Sequence, residues 1–444
     1  MRKPHEKNTI RYYLIIIAFL LFLFTTNDFG TLDVQKTAIV MAIGVDRQDD
    51  TFILTSQIAV PQSSTQGKSS QTEQIVSRGK TVAEAFKEIN AKTGWYPKLV
   101  FCHLIVLGEN TVKQNVFDAL DYFLLDEYLS DNCLVATCEG KAQSLLNVQA
   151  LIDRSGSLAI QKVLSEQAER VGTVLPCTLR EFTIGYYGDS QSSYLPILVT
   201  QPQQEHISSS DNNNSASQQN GSQNSSQESS QESSQENSQS GEQDSAQSGS
   251  QSSEQGGGQS SEQSGGQGGG QKSNDKPVFS ASETALFVRG KQVGKLNKEE
   301  TFAFNAVKKK LRLASYEVET PEKATCSLSI RRNTPKLTLK LASNDTATLM
   351  IKLTLTAGLL DYSLALPPEK ADAGDVPQGA FQAAEKRLSA QIVSTFEKCR
   401  SLGCDLFELI SMLHRQENAR FDSLKGEFLQ NASVQVDVRF QNVR

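Results

Sequence analysis

Residues 201–277 are almost entirely Ser, Gln, Gly, Asn and Glu. This segment constrains the fold more than any other feature of the chain. Repeats such as Ser225-Ser226-Gln227-Glu228 give way to runs of Gly and Gln, and between Ile207 and Val278 the only apolar residues are Ala216 and Ala246. Such a stretch cannot bury enough surface to offset chain entropy, so a disordered linker is expected. Whatever folds must do so from residues 31–200 and 278–444. The segment carries ten acids and two lysines, whereas the whole chain of 444 residues is −6. The acidity therefore belongs to the linker. The folded parts are close to neutral, which argues against a nucleic-acid surface.

Residues 12–24, YYLIIIAFLLFLF, form an unbroken apolar run. Arg2, Lys3, Lys7 and Arg11 precede it, with Glu6 as the one acid. A basic flank is retained in the cytoplasm, so the rest of the chain is expected outside the membrane. Thirteen apolar residues suit a signal-peptide core, and a span wants about 20. With Thr25 and Thr26 the segment reaches roughly 22 Å, short for a bilayer core. No A-x-A-like site follows it. Both readings stay open, with an uncleaved anchor over residues 12–26 favoured above a cleaved signal.

The seven cysteines, Cys102, Cys133, Cys138, Cys177, Cys326, Cys399 and Cys404, are odd in number and show no framework spacing. Cys133 and Cys138 sit on one apparent strand, about 16 Å apart, too far for a disulfide. Buried thiols are the expectation.

Periodicity predicts strands at 37–45 and 51–60, joined by a polar turn at 46–50, then a loop over 61–72. A capping box, Thr81-Val82-Ala83-Glu84, opens a helix. A third strand spans 98–107, a second helix carries Val112 to Leu124 on its apolar side, and a fourth strand covers 132–138. The order β-β-α-β-α-β predicts a mixed sheet covered by helices. A further helix is expected near 159–170. Beyond the linker we expect a hairpin turning at Arg289-Gly290-Lys291 and a helix capped by Asn297. Three antiparallel strands are expected over 325–356, then a long amphipathic helix over 380–399, another helix from 405 to 414, and a half-buried C-terminal strand.

No sequence pattern for catalysis stands out. Of four histidines, His5 precedes the apolar run and His206 lies in the linker. A Cys102–His103 dyad is disfavoured because neighbours on a strand face opposite sides. A hydrolase would need a nucleophile, base and orienter around His103 or His414. No Walker loop, G-x-S-x-G, G-x-G-x-x-G or H-x-x-x-H occurs. Asp405 reads as a helix cap. No catalytic, cofactor, metal or lipidation residue is assigned.

The ordered motifs resemble the C subunit of bacterial spore germinant receptors, the Ger(x)C family. Leu32-Asp33 and the strand ending Gly44-Val45-Asp46 are similar to its G-[IV]-D opening. Ser77-Arg78-Gly79-Lys80-Thr81-Val82-Ala83-Glu84-Ala85, Phe101-Cys102-His103-Leu104 through Glu109, and Asp118 through Phe123 resemble its next three motifs. Glu283 through Leu296, Glu299-Glu300-Thr301, and Cys404-Asp405-Leu406-Phe407 complete the likeness. The family is typically lipidated on a cysteine before the first strand. Residues 27–32 have none, so anchoring would rest on residues 12–24. Trp95 is the only tryptophan, and the family's usual C-terminal one is missing.

The resemblance implies an α+β chain of three mixed α/β domains after a single N-terminal membrane segment. These would be 31–140, 141–200 joined with 278–314 across the 201–277 linker, and 315–444, with 1–11 as the cytoplasmic flank. It further implies a non-enzymatic subunit of a germinant receptor at the inner spore membrane. The partners would be integral-membrane A and B type subunits, with a role in receptor assembly or nutrient-triggered germination. The alternative reading is an anchored extracytoplasmic solute-binding or envelope-sensing protein, which would need a pocket lined by aromatics and a few polar groups.

Overall fold

A computed structural model describes residues 4–25, 37–60, 71–148, 155–165, 167–201, 278–321, 323–342, 345–363, 376–377 and 379–443. The linker expected at 201–277 lies, apart from Gln201, outside these residues, as do positions 61–70 of the expected loop.

The chain begins with α1 (Pro4–Thr25), then β1 (Thr37–Gln48), β2 (Thr51–Val60), β3 (Gln71–Gly79), α2 (Val82–Thr93), β4 (Tyr96–Lys98) and β5 (Leu104–Leu107). Next come α3 (Glu109–Val112), α4 (Phe117–Leu124), β6 (Leu134–Cys138), α5 (Ala142–Leu146), α6 (Gly156–Val163), α7 (Gln167–Val171), α8 (Leu179–Tyr187) and β7 (Ser192–Gln201). The second half holds β8 (Val278–Val288), β9 (Lys291–Leu296), α9 (Lys298–Val307), β10 (Ala314–Glu319), β11 (Thr325–Leu341) and β12 (Ala347–Tyr362). It ends with α10 (Ala380–Ser401), α11 (Leu409–Gln416), α12 (Phe421–Phe428) and β13 (Ser433–Asn442).

Nine strands form one mixed sheet in the order β3-β2-β1-β5-β6-β7-β8-β9, with β4 alongside β1. The centre, β1-β5-β6-β7, is parallel, and the hairpins on either side are antiparallel. Central parallel strands are buried on both faces, which is why residues 98–107 read as a continuous apolar run. Ile105 and Leu107 face a core built with α2, α4 and α8, and Leu104 and Val106 face a core built with α5, α6 and α7. The expected mixed sheet with helical cover is thus observed. The four strands β10-β11-β12-β13 form a second sheet, packed with α9 and α10 around the third core. Gln201 and Val278 are partners in the β7–β8 ladder, so the chain leaves and re-enters the first sheet at adjacent positions.

Several elements differ from expectation. The run at 98–107 is split: Cys102 N–H bonds to Leu99 O at 2.9 Å, closing a turn between β4 and β5. Leu99 and Cys102 are buried while Val100 and Phe101 are exposed, so apolar character alone misled. The helix over 112–124 breaks at Asn115, whose Oδ1 accepts from Phe117 N–H, and Val116 N–H is diverted to Gly290 O. β3 was missed because only Ile75 and Val76 are apolar; an edge strand needs no strict alternation. Over 325–356 there are two long strands, not three, because β11 passes its polar Arg331-Arg332 stretch through a bulge rather than a turn. Its antiparallel neighbour β10 precedes that interval.

Among the described residues no helix is long and apolar enough to cross a membrane. Residues 11–22 of α1 are nevertheless exposed throughout.

Candidate functional site

The motif residues are explained first by structure. Gly44, Asp46 and Gly108 meet at the start of α5. The Asp46 carboxylate is buried and accepts from Ala142 N–H at 2.8 Å and Gln143 N–H at 3.0 Å, capping that helix from a distant strand. Burial raises its pKa, and the two amides and Lys141 pull it back. A Cβ on Gly108 would lie 2.0 Å from Asp46 Oδ1, and one on Gly44 would lie 3.1 Å from the Ala142 Cβ. The glycines therefore admit the cap and the helix. The sequence had placed Asp46 in a polar turn; instead β1 continues to Gln48, and the turn is Asp49-Asp50.

Thr81 caps α2 as expected, accepting from Glu84 N–H at 3.1 Å, but the Glu84 carboxylate reaches Lys80 N–H rather than that of Thr81. Asn297 and Glu300 form a reciprocal capping box on α9. Asp405 is a cap, as expected: its two oxygens accept from Leu409 N–H at 2.9 Å and Ile410 N–H at 2.8 Å. Burial raises its pKa against those bonds.

All seven cysteines are buried and free. The Cys133 thiol neighbours that of Cys102, and this contact and burial push it well above the usual thiol range; the two thiols themselves donate to Leu134 O and Leu104 O. No local pattern signals that pairing, because it crosses between two loops. Cys102 packs in the α2–α4–α8 core, whereas the His103 ring lies by the backbone of Phe101 and Ser157. The two side chains form no dyad. Burial lowers the His103 pKa, and its Nε2 has no hydrogen-bond partner among the described residues. His414 Nδ1 pairs with Asp189 at 2.8 Å and its ring stacks on Phe421 at 4.2 Å, which ties α11 to the turn before β7 and to α12. Among the described residues no group of three or more His, Cys, Asp or Glu side chains is placed to hold a metal ion.

Two concavities among the described residues bear on binding. A cleft of about 360 Å³ lies between α8, β7 and the 404–411 segment, with Ser193, Tyr194, Lys308, Lys310 and Glu408 in its lining. Its charges are mostly paired: Lys308 with Glu408, and Lys310 with Glu181 at 3.5 Å. Ser193 Oγ is buried with no partner among the described residues. A groove of about 480 Å³ between α2, β4 and α4 is lined by Phe86, Tyr96, Pro97 and Tyr122, with Lys87 and Asn90 as its polar groups. Tyr122 stacks on Phe86 at 4.9 Å.

A family model described as the spore germination protein N-terminal domain matches residues 30–200. A second, described as spore germination B3/GerAC like, C-terminal, matches residues 282–444. The two leave out the Ser/Gln/Gly segment and together cover most of the chain. The chain belongs to the Ger(x)C family of spore germination proteins. A solved structure titled the crystal structure of the GerBC protein is similar at 14% identity, with a TM-score of 0.48, over 90% of this chain and 97% of that one. Among curated proteins no match is found. The Ger(x)C motifs quoted above coincide with caps, turns and close approaches in this fold. Gly290 is one of these: with φ 73° it sits at the tip of the β8–β9 hairpin, against Asn115.

Proposed function

We propose that this Ger(x)C protein is a non-enzymatic, membrane-anchored subunit of a spore germinant receptor, serving receptor assembly or nutrient-triggered germination. The bulk of the chain would stand outside the inner spore membrane beside integral-membrane A and B type subunits. The observation that carries the anchoring is α1. Its apolar residues are exposed on every side, from Ile17 at 53% to Tyr12 at 68%. A helix that is apolar all round needs an apolar surrounding. With Arg11 snorkelling and local thinning of the bilayer, its short apolar stretch can still seat in lipid. We also propose the three-domain division at 31–140, 141–200 with 278–314, and 315–444. It is supported by the narrow β6–β7 junction, two register pairs wide, and by the change of sheet between β9 and β10. Deleting the gene in its spore former should abolish the response to nutrients and lower the amount of the A and B subunits in the spore membrane. Unchanged germination and assembly would refute the proposal.

The aromatic groove between α2 and α4 favours a second reading, that of a solute-binding or envelope-sensing protein. A panel of nutrient amino acids and sugars that raises the melting temperature of the wild type, and not of a Tyr122→Ala variant, would establish it.

A further inference from the structure

The parallel strands β1, β5 and β6 start on one edge of the large sheet. The segments that lead into them must therefore share that edge. Two carry a concentration of exposed apolar side chains: Trp95, Tyr96, Val100 and Phe101 before β5, and Leu125 and Tyr128 before β6. Single exposed apolar residues are ordinary, but six in two adjoining segments are not. The segments touch, because Lys98 Nζ lies 3.8 Å from the centre of the Tyr128 ring. β1 starts beside β4, with Thr37 opposite Tyr96, and eleven residues separate α1 from β1. Fully extended, that connection reaches at most about 40 Å.

We propose that this aromatic edge rests on the lipid surface, in the headgroup region of the membrane that holds α1. The inference builds on the anchored reading above. Trp and Tyr are the side chains that favour the membrane–water boundary, since each joins an apolar ring to a polar tip. The short connection keeps the edge within reach of the bilayer. Charge does not drive the contact. Lys92 and Lys98 are offset by Asp126, Glu127 and Asp131, and Asp126 already accepts from the Tyr128 and Leu129 amides. The edge therefore shows no preference for anionic lipid, and its seating is insensitive to salt.

The chain carries its own probe, because Trp95 is its only tryptophan and is 39% exposed. The full chain would be reconstituted with phosphatidylcholine vesicles, where flotation reports α1 and Trp95 emission reports the edge. The expected result is a blue-shifted Trp95, quenched by lipids brominated near the headgroup, with no change when salt rises about tenfold. A Tyr96→Ser/Phe101→Ser variant should still float, while its bromine quenching falls several-fold. Flotation with Trp95 still in water would overturn the edge and leave the anchor standing, as would a shift that appears only when a membrane-protein partner is added. Failure to float, whatever the Trp95 emission, would overturn the anchor and the edge with it.

Discussion

Replacing Asp46 tests the claim that the opening G-V-D motif is a helix cap. Asp46→Ala leaves the buried amides of Ala142 and Gln143 without an acceptor. Each unsatisfied buried donor costs about 1–3 kcal/mol. Part of that is offset, because the carboxylate was itself held in a site that raises its pKa. A net loss of about 2–4 kcal/mol is expected, at or above the upper end for exposed caps. Asp46→Asn keeps one acceptor and removes the buried charge, so it should cost about half as much. The pH dependence has a definite sign. Below the ordinary carboxylate value of 3.8 Asp46 is protonated in both the folded and the unfolded chain. As pH rises, the unfolded chain ionises first, so wild-type stability falls through the folded pKa, and the Asn variant lacks that slope. Urea unfolding of the full chain at several pH values measures the loss. Hydrogen exchange at Ala142 and Gln143 localises it. Gly108→Ala pushes a methyl into the same carboxylate, 2.0 Å from Oδ1. The double variant Asp46→Ala/Gly108→Ala should therefore be less damaging than the sum of its parts by about 1 kcal/mol or more. Equal costs for Asp46→Ala and Asp46→Asn, strict additivity with Gly108→Ala, or unchanged exchange at α5 would refute the capping account.

Gly290→Ala should cost about 1–2 kcal/mol in thermal unfolding, since its φ of 73° suits glycine and a Cβ would meet Asn115 Oδ1 at 2.2 Å. The folded chain at pH 8 should resist alkylation at all seven cysteines and react fully in urea, as burial pushes thiols such as Cys404 up to about 12. Oxidation during refolding from urea, when the thiols are accessible, should link Cys102 to Cys133 before any other pair and stabilise the chain by about 3 kcal/mol, seen by peptide mapping and melting; a different first pair would contradict the packing. Replacing residues 202–277 with a tight hairpin turn should leave near-ultraviolet circular dichroism unchanged, because the segment holds no aromatic residue and Gln201 and Val278 are already paired. Shortening that connection by about four doublings should add roughly 2.5 kcal/mol, and a lower melting temperature would show that the segment contributes contacts.

Much of the architecture was legible where local chemistry decides it. The Asn297–Glu300 box, the Arg289-Gly290 turn and the alternation of Val434, Val436, Val438 and Phe440 all act within a few residues, and each is where periodicity placed it. The mixed helix-covered sheet followed from element order. The failures have a common cause: the deciding partner is remote in sequence. Val100 and Phe101 look like strand core until the Leu99–Cys102 turn exposes them. Asp46 looks like a turn residue until α5 arrives 96 residues later. Cys102 and Cys133 look unrelated until β5 and β6 lie side by side. The aromatic edge was illegible for the same reason, since its two segments meet only through sheet order.

The residues that carry the Ger(x)C likeness and the surfaces open to a partner are largely different sets. Asp46, Asp405 and Asn297 spend their polar atoms on helix amides, and Gly44 and Gly108 are required by neighbouring atoms. A side chain so committed cannot also bind a second molecule without uncapping a helix. On the proposed reading, specificity for other receptor subunits or for lipid would reside where the fold asks little of the sequence: α1, the Trp95–Tyr128 edge, and the linings of the groove and cleft. Exposed aromatics at such places leave apolar surface in water, and a surface outside the described fold can cover it. Exchanging the edge residues between two family members should therefore transfer partner or membrane preference without altering stability, whereas exchanging the motif residues should do the reverse.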